Sequence, residues 1–298
     1  MFSKKHFLIG AAFGIILLIA YLLTLPDTRL HLVFCDVGQG DAAYIRAPNG
    51  MDMLIDGGPN NQVLSCLGKH MPFWDRAIDV VMLTHPQIDH LQGLIPVIER
   101  YTVNNIVIGV TGNDLDGYRK LLQLISNKNI PVKNLYQGDA FSLGEVRFSV
   151  LWPQKDWVVS KIQQLNNETM KQLATVDGPA VLGMSTTEDP NSFSYYLHLK
   201  YKDFDALFTG DGDAPMQDEL MATTNLPDIE LLKFPHHGSK TGILPVLLDT
   251  LKPELAIVSV GKKNSYGHPA AEALKLLHDR AIKTRRTDLE GDIEIVTP

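Results

Sequence analysis

Two segments, THPQIDHLQG at Thr84–Gly93 and FPHHGSKTG at Phe234–Gly242, each end an apolar run with side chains that bind metal ions. In the first, His85, Asp89 and His90 fall within six residues, so one tight loop can present ligands on two sides. In the second, His236 and His237 are adjacent. A catalytic metal takes about three protein ligands and keeps a position for water, whose proton it loosens to near neutrality. Asp89 and His90 need one more histidine and a carboxylate to complete such a site. His236 or His237 can supply the first, and Asp211, closing the run ALFTGD, the second.

The strong position is therefore expected from Asp89, His90, Asp211 and His236, with His237 either a ligand or a side chain that supports the ligands from behind. His85 and Gln87 would feed a second, weaker position, because a neutral amide oxygen binds cations less well than histidine or carboxylate. That oxygen-rich position favours Mn²⁺ or Mg²⁺, with Zn²⁺ open for the centre as a whole. Asp56, at a Gly-rich strand end, is expected to brace a histidine by hydrogen bonding rather than to bind metal. The chemistry implied is hydrolysis, with an activated water attacking phosphorus or a carbonyl carbon and Asp89 in the reacting centre.

These side chains need strand ends to hold them. LHLVFC (30–35), AAYIR (42–46), MDMLI (51–55), DVVML (79–83), NIVIG (105–109) and VRFSVL (146–151) read as strands, several apolar on both faces, as in a sheet covered on both sides. Leu91, Leu94, Ile95 and Ile98 follow helical spacing, so a helix should follow His90; Tyr118, Leu121, Leu122 and Ile125 repeat the pattern. Asp36–Asp56 and Asn191–Asp211 are both separated by 20 residues across a strand, turn, strand and acidic Gly loop. This weak self-similarity predicts two βα halves that face each other, with ligands where they meet. Residues 154–190 do not fit the repeat: an amphipathic helix from Val158 to Leu173 is expected, then a polar loop serving as a lid or a surface insertion.

The 298 residues suffice for a full core. Lys4, Lys5 and the uncharged run Phe7–Leu25 predict a membrane anchor over residues 1–28, with the domain at 29–298 outside the cytoplasm. A cleaved signal peptide, giving a secreted protein, is the alternative reading. Net charge is −7, or −9 without Lys4 and Lys5, which argues mildly against tight binding of long DNA. Basic residues do cluster at Lys262–Lys263 and at Arg280, Lys283, Arg285 and Arg286. Cys35 and Cys66 can pair outside the cytoplasm or remain buried thiols.

The order of DVGQGDA (36–42), LIDGG (54–58), THPQIDHLQGL (84–94), LFTGD (207–211), LLKFPHHGS (231–239), SVGKKNSYGHP (259–269) and TRRTDLEGDIEI (284–295) closely resembles the metallo-β-lactamase-fold domain at the C-terminal end of ComEC-type competence proteins. The resemblance implies an αββα four-layer sandwich with one or two divalent metals (Zn²⁺ or Mn²⁺) at its upper edge. It implies phosphodiester-cleaving activity on single- or double-stranded DNA, or on a small phosphodiester, in DNA uptake. By the same resemblance His268, in Gly-His-Pro, protonates a leaving group or steadies an oxyanion. Gln87 departs from the pattern, since the family places Asp there and the wider superfamily His. A further superfamily histidine has no counterpart, as His198 sits mid-strand and Asn191 takes the family's polar position. Hydrolysis of small esters, lactones or phospho-headgroups is the alternative activity, and a degenerate membrane-anchored binding domain the non-enzymatic one.

Overall fold

Alternation along the strands decides the layering. In β1 (Leu30–Phe34), Leu30, Leu32 and Phe34 enter one apolar cluster and Val33 another on the opposite face. A strand buried on both faces must belong to a sheet covered on both sides. The computed structural model, which describes residues 4–22, 27–162 and 181–297, contains two such sheets. The first runs β16 (Ile293–Thr297), β1, β2 (Ala43–Arg46), β3 (Asp52–Ile55), β5 (Val80–Leu83), β7 (Ile106–Ile108), β8 (Val132–Lys133). The second runs β9 (Ala140–Leu143), β10 (Val146–Trp152), β11 (Tyr196–Tyr201), β12 (Phe204–Phe208), β13 (Leu231–Lys233), β14 (Leu255–Val258), β15 (Lys283–Arg286). A two-stranded ribbon pairs β4 (Ala77–Ile78) with β6 (Thr102–Val103).

Each large sheet has three antiparallel pairings followed by three parallel ones. The two halves therefore trace the same path, as the sequence repeat predicts. They differ at one edge: β9 is local to its half, whereas β16 returns from the far end of the chain to close the first sheet.

The inner faces meet in a single cluster that includes Leu32, Phe34, Met53, Phe148, Leu197 and Phe208. The rings of Phe34 and Phe208 stack across it at 5.8 Å. Truncating a buried phenylalanine of this kind to alanine costs about 3–5 kcal/mol. On the outer face of the first sheet, Val33, Leu54, Val81 and Leu83 pack with residues of α2 (Val63–His70), α4 (Leu94–Arg100) and α5 (Asp116–Asn127). Helices Ala214–Thr223, Pro245–Leu251 and Ala271–His278 cover the second sheet in the same way. The order is helix, sheet, sheet, helix.

Three local outcomes differ from the sequence expectations. The helix expected after His90 starts earlier, as α3 (Ile88–Leu91), and restarts as α4 beyond Gly93. A Cβ at Gly93 would lie 1.8 Å from the carbonyl oxygen of Gly57, so the chain can pass there only as glycine. The amphipathic helix expected over Val158–Leu173 is observed over Lys155–Lys161, and residues 163–180 lie outside the described residues. Helix α1 (Lys4–Leu22) forms at the N-terminus, yet among the described residues no helix is long and apolar enough to cross a membrane. Of the uncharged run Phe7–Leu25 read as an anchor, residues 23–25 lie outside the described residues.

Of the two readings of the cysteines, the structure has the bond: Cys35 and Cys66 are joined, Cα atoms 5.7 Å apart, across 31 residues of chain. This ties the end of β1 to α2. Reduction should lower unfolding stability by about 2–4 kcal/mol, read from denaturant midpoints with and without reductant. An unchanged midpoint would show that the bond constrains nothing the fold does not already hold.

Candidate metal centre

The parallel strands of both sheets deliver their C-terminal ends to one edge, where open α/β sheets place ligands. From β3 the chain enters Asp56, a non-glycine residue held at φ 59°. From β5 it runs through Thr84 and His85 into α3, which carries Asp89 and His90. From β12 it turns at Gly210 into Asp211, and from β13 it reaches His236 and His237. Gly210 sits at φ 50°, and a Cβ there would lie 2.9 Å from the Thr84 side chain and 3.1 Å from that of Ser194, so the turn after β12 can approach Thr84 this closely only as glycine.

One donor atom from each of Asp89, His90, Asp211 and His237 lies within 4.8 Å of the other three. His90 Nε2 stands 3.3 Å from Asp211 Oδ1, and His237 Nε2 stands 3.1 Å from Asp211 Oδ2 and 3.4 Å from Asp89 Oδ2. Distance alone would allow hydrogen bonds, but alignment does not. His90 Nε2, His237 Nε2 and Asp211 Oδ1 are all buried without a hydrogen-bond partner. Buried polar atoms are rarely left so. Four donors that approach one another without bonding are aimed at a common point, and two imidazoles with two carboxylates suit a divalent cation there.

The opposite sides of the rings are fixed. His90 Nδ1 lies 2.8 Å from Asp56 Oδ2, and Asp56 in turn accepts from the Thr84 amide at 2.8 Å and the Thr84 hydroxyl at 2.7 Å. His237 Nδ1 donates to the Ser259 carbonyl at 3.0 Å and stands 3.4 Å from Asp41 Oδ1. Asp41 is paired with Lys233, and both are buried. With Nδ1 occupied in each ring, Nε2 is the atom left to face the centre.

The charges are tightly linked. Burial opposes protonation of His90 and His237, but Asp211 with Asp56, and Asp211 with Asp41, outweigh it and raise both rings well above the ordinary histidine range. Burial would raise Asp211, yet His237 and His90 hold it well below the usual carboxylate range. Asp89 is likewise drawn down to about 2, the pull of His237 and His90 exceeding the effect of burial. His85 goes the other way, to about 3, through burial and the neighbouring His90.

His85 is buried with Nε2 unpartnered and its ring 4.2 Å from that of His90, but it lies outside the four-donor group. Gln87 lines the adjoining cavity of about 420 Å³, together with Asp89, Asp211, His236, His237 and His268. His236, expected as a ligand, is not among the four donors. Its backbone and that of His237 are both left-handed, at φ 52° and 53°, and this double turn sends His237 inward while His236 faces the cavity, the two rings 6.3 Å apart. His268 is half-buried in the cavity wall and held by paired hydrogen bonds with Asn264, whose side chain accepts from the His268 amide at 3.0 Å and donates to its carbonyl at 2.7 Å. Its own pKa is lowered by burial and by His236 and His237.

His198 is remote from these residues in the chain's pairing, 2.7 Å from Asp205 within the β11–β12 hairpin, and Asn191 sits in a 3-10 turn ahead of β11. Asp41, Thr84 and Lys233 were not singled out by sequence reasoning. Asp41 lies in the quoted DVGQGDA motif, and a lysine closing the apolar run LLK was the available signal for Lys233. The basic cluster at the C-terminal end is largely neutralised: Arg280 pairs with Asp249, Arg285 with Glu290 and Arg286 with Asp288.

No family model matches the chain. It is similar to ComE operon protein 3 of Bacillus subtilis, 28% identical over 278 residues, covering 87% of this chain and 32% of that protein. It is also similar to Recombination protein 2 of Haemophilus influenzae, 23% identical over 300 residues, covering 98% of this chain and 32% of that one. The chain thus spans about a third of the length of these relatives, which are of the ComEC type. Among solved structures, the metallo-β-lactamase fold protein YhfI of Bacillus subtilis superposes with a TM-score of 0.52 at 13% identity, over 90% of this chain and all of that one. This likeness shows a metallo-β-lactamase fold.

Two outcomes check the geometry. Asp56→Asn should weaken divalent-metal affinity about 10–100-fold by releasing the His90 ring, measured by competition with a chelating dye; an unchanged affinity would remove Asp56 from this role. Because His90 and His237 have raised pKa values, their stabilisation of the metal-free fold is complete below the ordinary histidine pKa and falls as pH rises through the raised values. Metal must displace those protons, so its affinity should climb with pH, and calorimetric titration in buffers of different ionisation enthalpy should reveal proton release. Identical heats in all buffers would contradict the assignment.

Proposed function

We propose that this chain is a metal-dependent phosphodiesterase acting on nucleic acid at a membrane, with Asp89, His90, Asp211 and His237 holding one divalent cation tightly. The convergence of those four donors, three of them buried, on one point beside an open cavity carries the reading. With a divalent ion held there, these residues would gain a water of lowered pKa and a positive charge to offset the negative charge that builds on phosphorus oxygens. Zn²⁺ and Mn²⁺ both suit the mixed donor set. His85 and Gln87 feed a weaker second position, so one ion per chain is expected to survive dialysis.

The protein's own groups do the rest. Asp56 and the Ser259 carbonyl hold the two rings in orientation. Asp41 and Lys233 keep a balanced charge pair directly beneath the centre. His268, fixed by Asn264 and kept neutral by its environment, still carries one ring N–H and donates it to a phosphate or leaving oxygen. His236, on the same wall, narrows the approach.

The names of the relatives, a competence operon protein and a recombination protein, favour a nucleic-acid substrate. The disulfide favours an oxidising compartment, in keeping with a site outside the cytoplasm. Seven large apolar side chains of α1, among them Phe13, Ile16 and Leu18, are exposed and favour attachment to a membrane.

The metal-loaded chain should hydrolyse single-stranded or duplex DNA, or a chromogenic phosphodiester, and lose activity with chelator. Asp89→Ala should lose bound metal, whereas His268→Ala should keep it and lose about 10²–10³ in kcat. Ester or lactone turnover with no phosphodiester cleavage would replace the substrate class. A fully metal-loaded chain without turnover on any of them would overturn the enzyme.

A further inference from the structure

The edge of the molecule opposite the metal centre carries a second set of features with no part in hydrolysis. β1 runs parallel to β3 through their common antiparallel neighbour β2, so Leu30 lies at the end of the sheet away from Asp56. His31 pairs with Arg46, and Arg46 reaches Asp75 at 3.6 Å. Asp75 belongs to the loop between α2 and β4, which leads into β5 from the same end. That loop exposes Phe73 (80%) and Trp74 (46%), ring against ring edge at 4.8 Å.

The same loop contributes Arg76 to a cavity of about 230 Å³ lined also by Leu64, Gly68, Arg100 and Tyr101. The Arg76 guanidinium sits 5.9 Å from the centre of the Tyr101 ring. Neither Arg76 nor Arg100 has a carboxylate partner among the described residues, although most arginines of this chain do. Two exposed aromatic rings on the loop that carries Arg76, and a second unneutralised guanidinium across a small cavity from it, match the chemistry of a lipid surface: rings at headgroup depth and arginines on phosphates. The same end of the sheet leads to α1: only seven residues separate Leu22 from Leu30, a reach of at most ~29 Å.

We propose that this edge, through Phe73, Trp74, Arg76 and Arg100, docks on an anionic phospholipid surface, so that the metal centre faces away from the membrane. The docking goes beyond hydrolysis and rests only on the membrane attachment argued above. Charge and continuity with α1 select lipid over a second copy of the chain, since two such edges would set arginine against arginine.

The test uses the full chain on vesicles containing phosphatidylglycerol, with and without lipids brominated near the headgroup. Flotation with the vesicles reads attachment, and tryptophan quenching reads docking. Of the three tryptophans, Trp152 is fully buried and Trp157 packs against Trp152 and Phe193, so an exposed quenchable signal belongs to Trp74. Bromine should quench part of the emission, and Trp74→Phe should abolish that part. Arg76→Gln and Arg100→Gln should each lower the ratio of docked to undocked protein about fivefold, the equivalent of roughly 1 kcal/mol per basic residue near an anionic surface. Phosphodiesterase activity on a soluble substrate should not change in any of these variants. A chain that floats but is not quenched overturns docking and leaves attachment standing; one that does not float overturns both. Quenching that persists undiminished in Trp74→Phe, or a Trp74 emission that depends on protein concentration instead of lipid, which would indicate self-association, also overturns it.

Discussion

Two imidazoles and two carboxylates, all but Asp89 fully buried, are brought together where two sheets meet. Charges so close and so poorly hydrated are tolerated only if each has a partner, and removing one side of such a pair costs about 3–5 kcal/mol. The surroundings supply partners on every side except the one facing the centre. Asp56 with Thr84 holds one ring and Ser259 the other, while Asp41 and Lys233 neutralise each other below. What remains is a cluster of lone pairs with no protein group to satisfy them. The folding of both halves has to be correct before that cluster can form, since Asp89 and His90 come from one half and Asp211 and His237 from the other.

The repeat explains why the centre lies on the seam. Each sheet changes from antiparallel to parallel pairing after its third connection, and in each the loops that follow the parallel strands bear the polar residues. Facing two copies of this arrangement puts two sets of loops against each other. A cation held between them also fastens one half to the other, so its binding and the docking of the sheets are coupled.

Much of this was legible in the residue pattern. The six apolar runs are strands, α5 covers the helix read from Tyr118 to Ile125, and Asp56 braces His90 instead of joining the four donors. Choosing between His236 and His237 was beyond the sequence, because the choice depends on two successive left-handed residues that side-chain spacing does not announce. The Asp41–Lys233 pair was missed for a related reason: the two are 192 positions apart, and only packing shows that a lysine at the end of an apolar strand points inward to an acid.

The glycine at position 40 limits what can be done with this scaffold. A Cβ there would lie 2.2 Å from the carbonyl oxygen of Asp89, whose own oxygen accepts from the Asp41 amide at 3.2 Å. The loop at 36–42 therefore supports the turn that carries Asp89 and His90 through its bare backbone. An engineer who randomises this loop to broaden the range of substrates would displace Asp89 before altering any contact with substrate. Diversity is better introduced at Leu115, Tyr266 and Ile88, which rim the cavity with exposed side chains and bear none of the centre's weight.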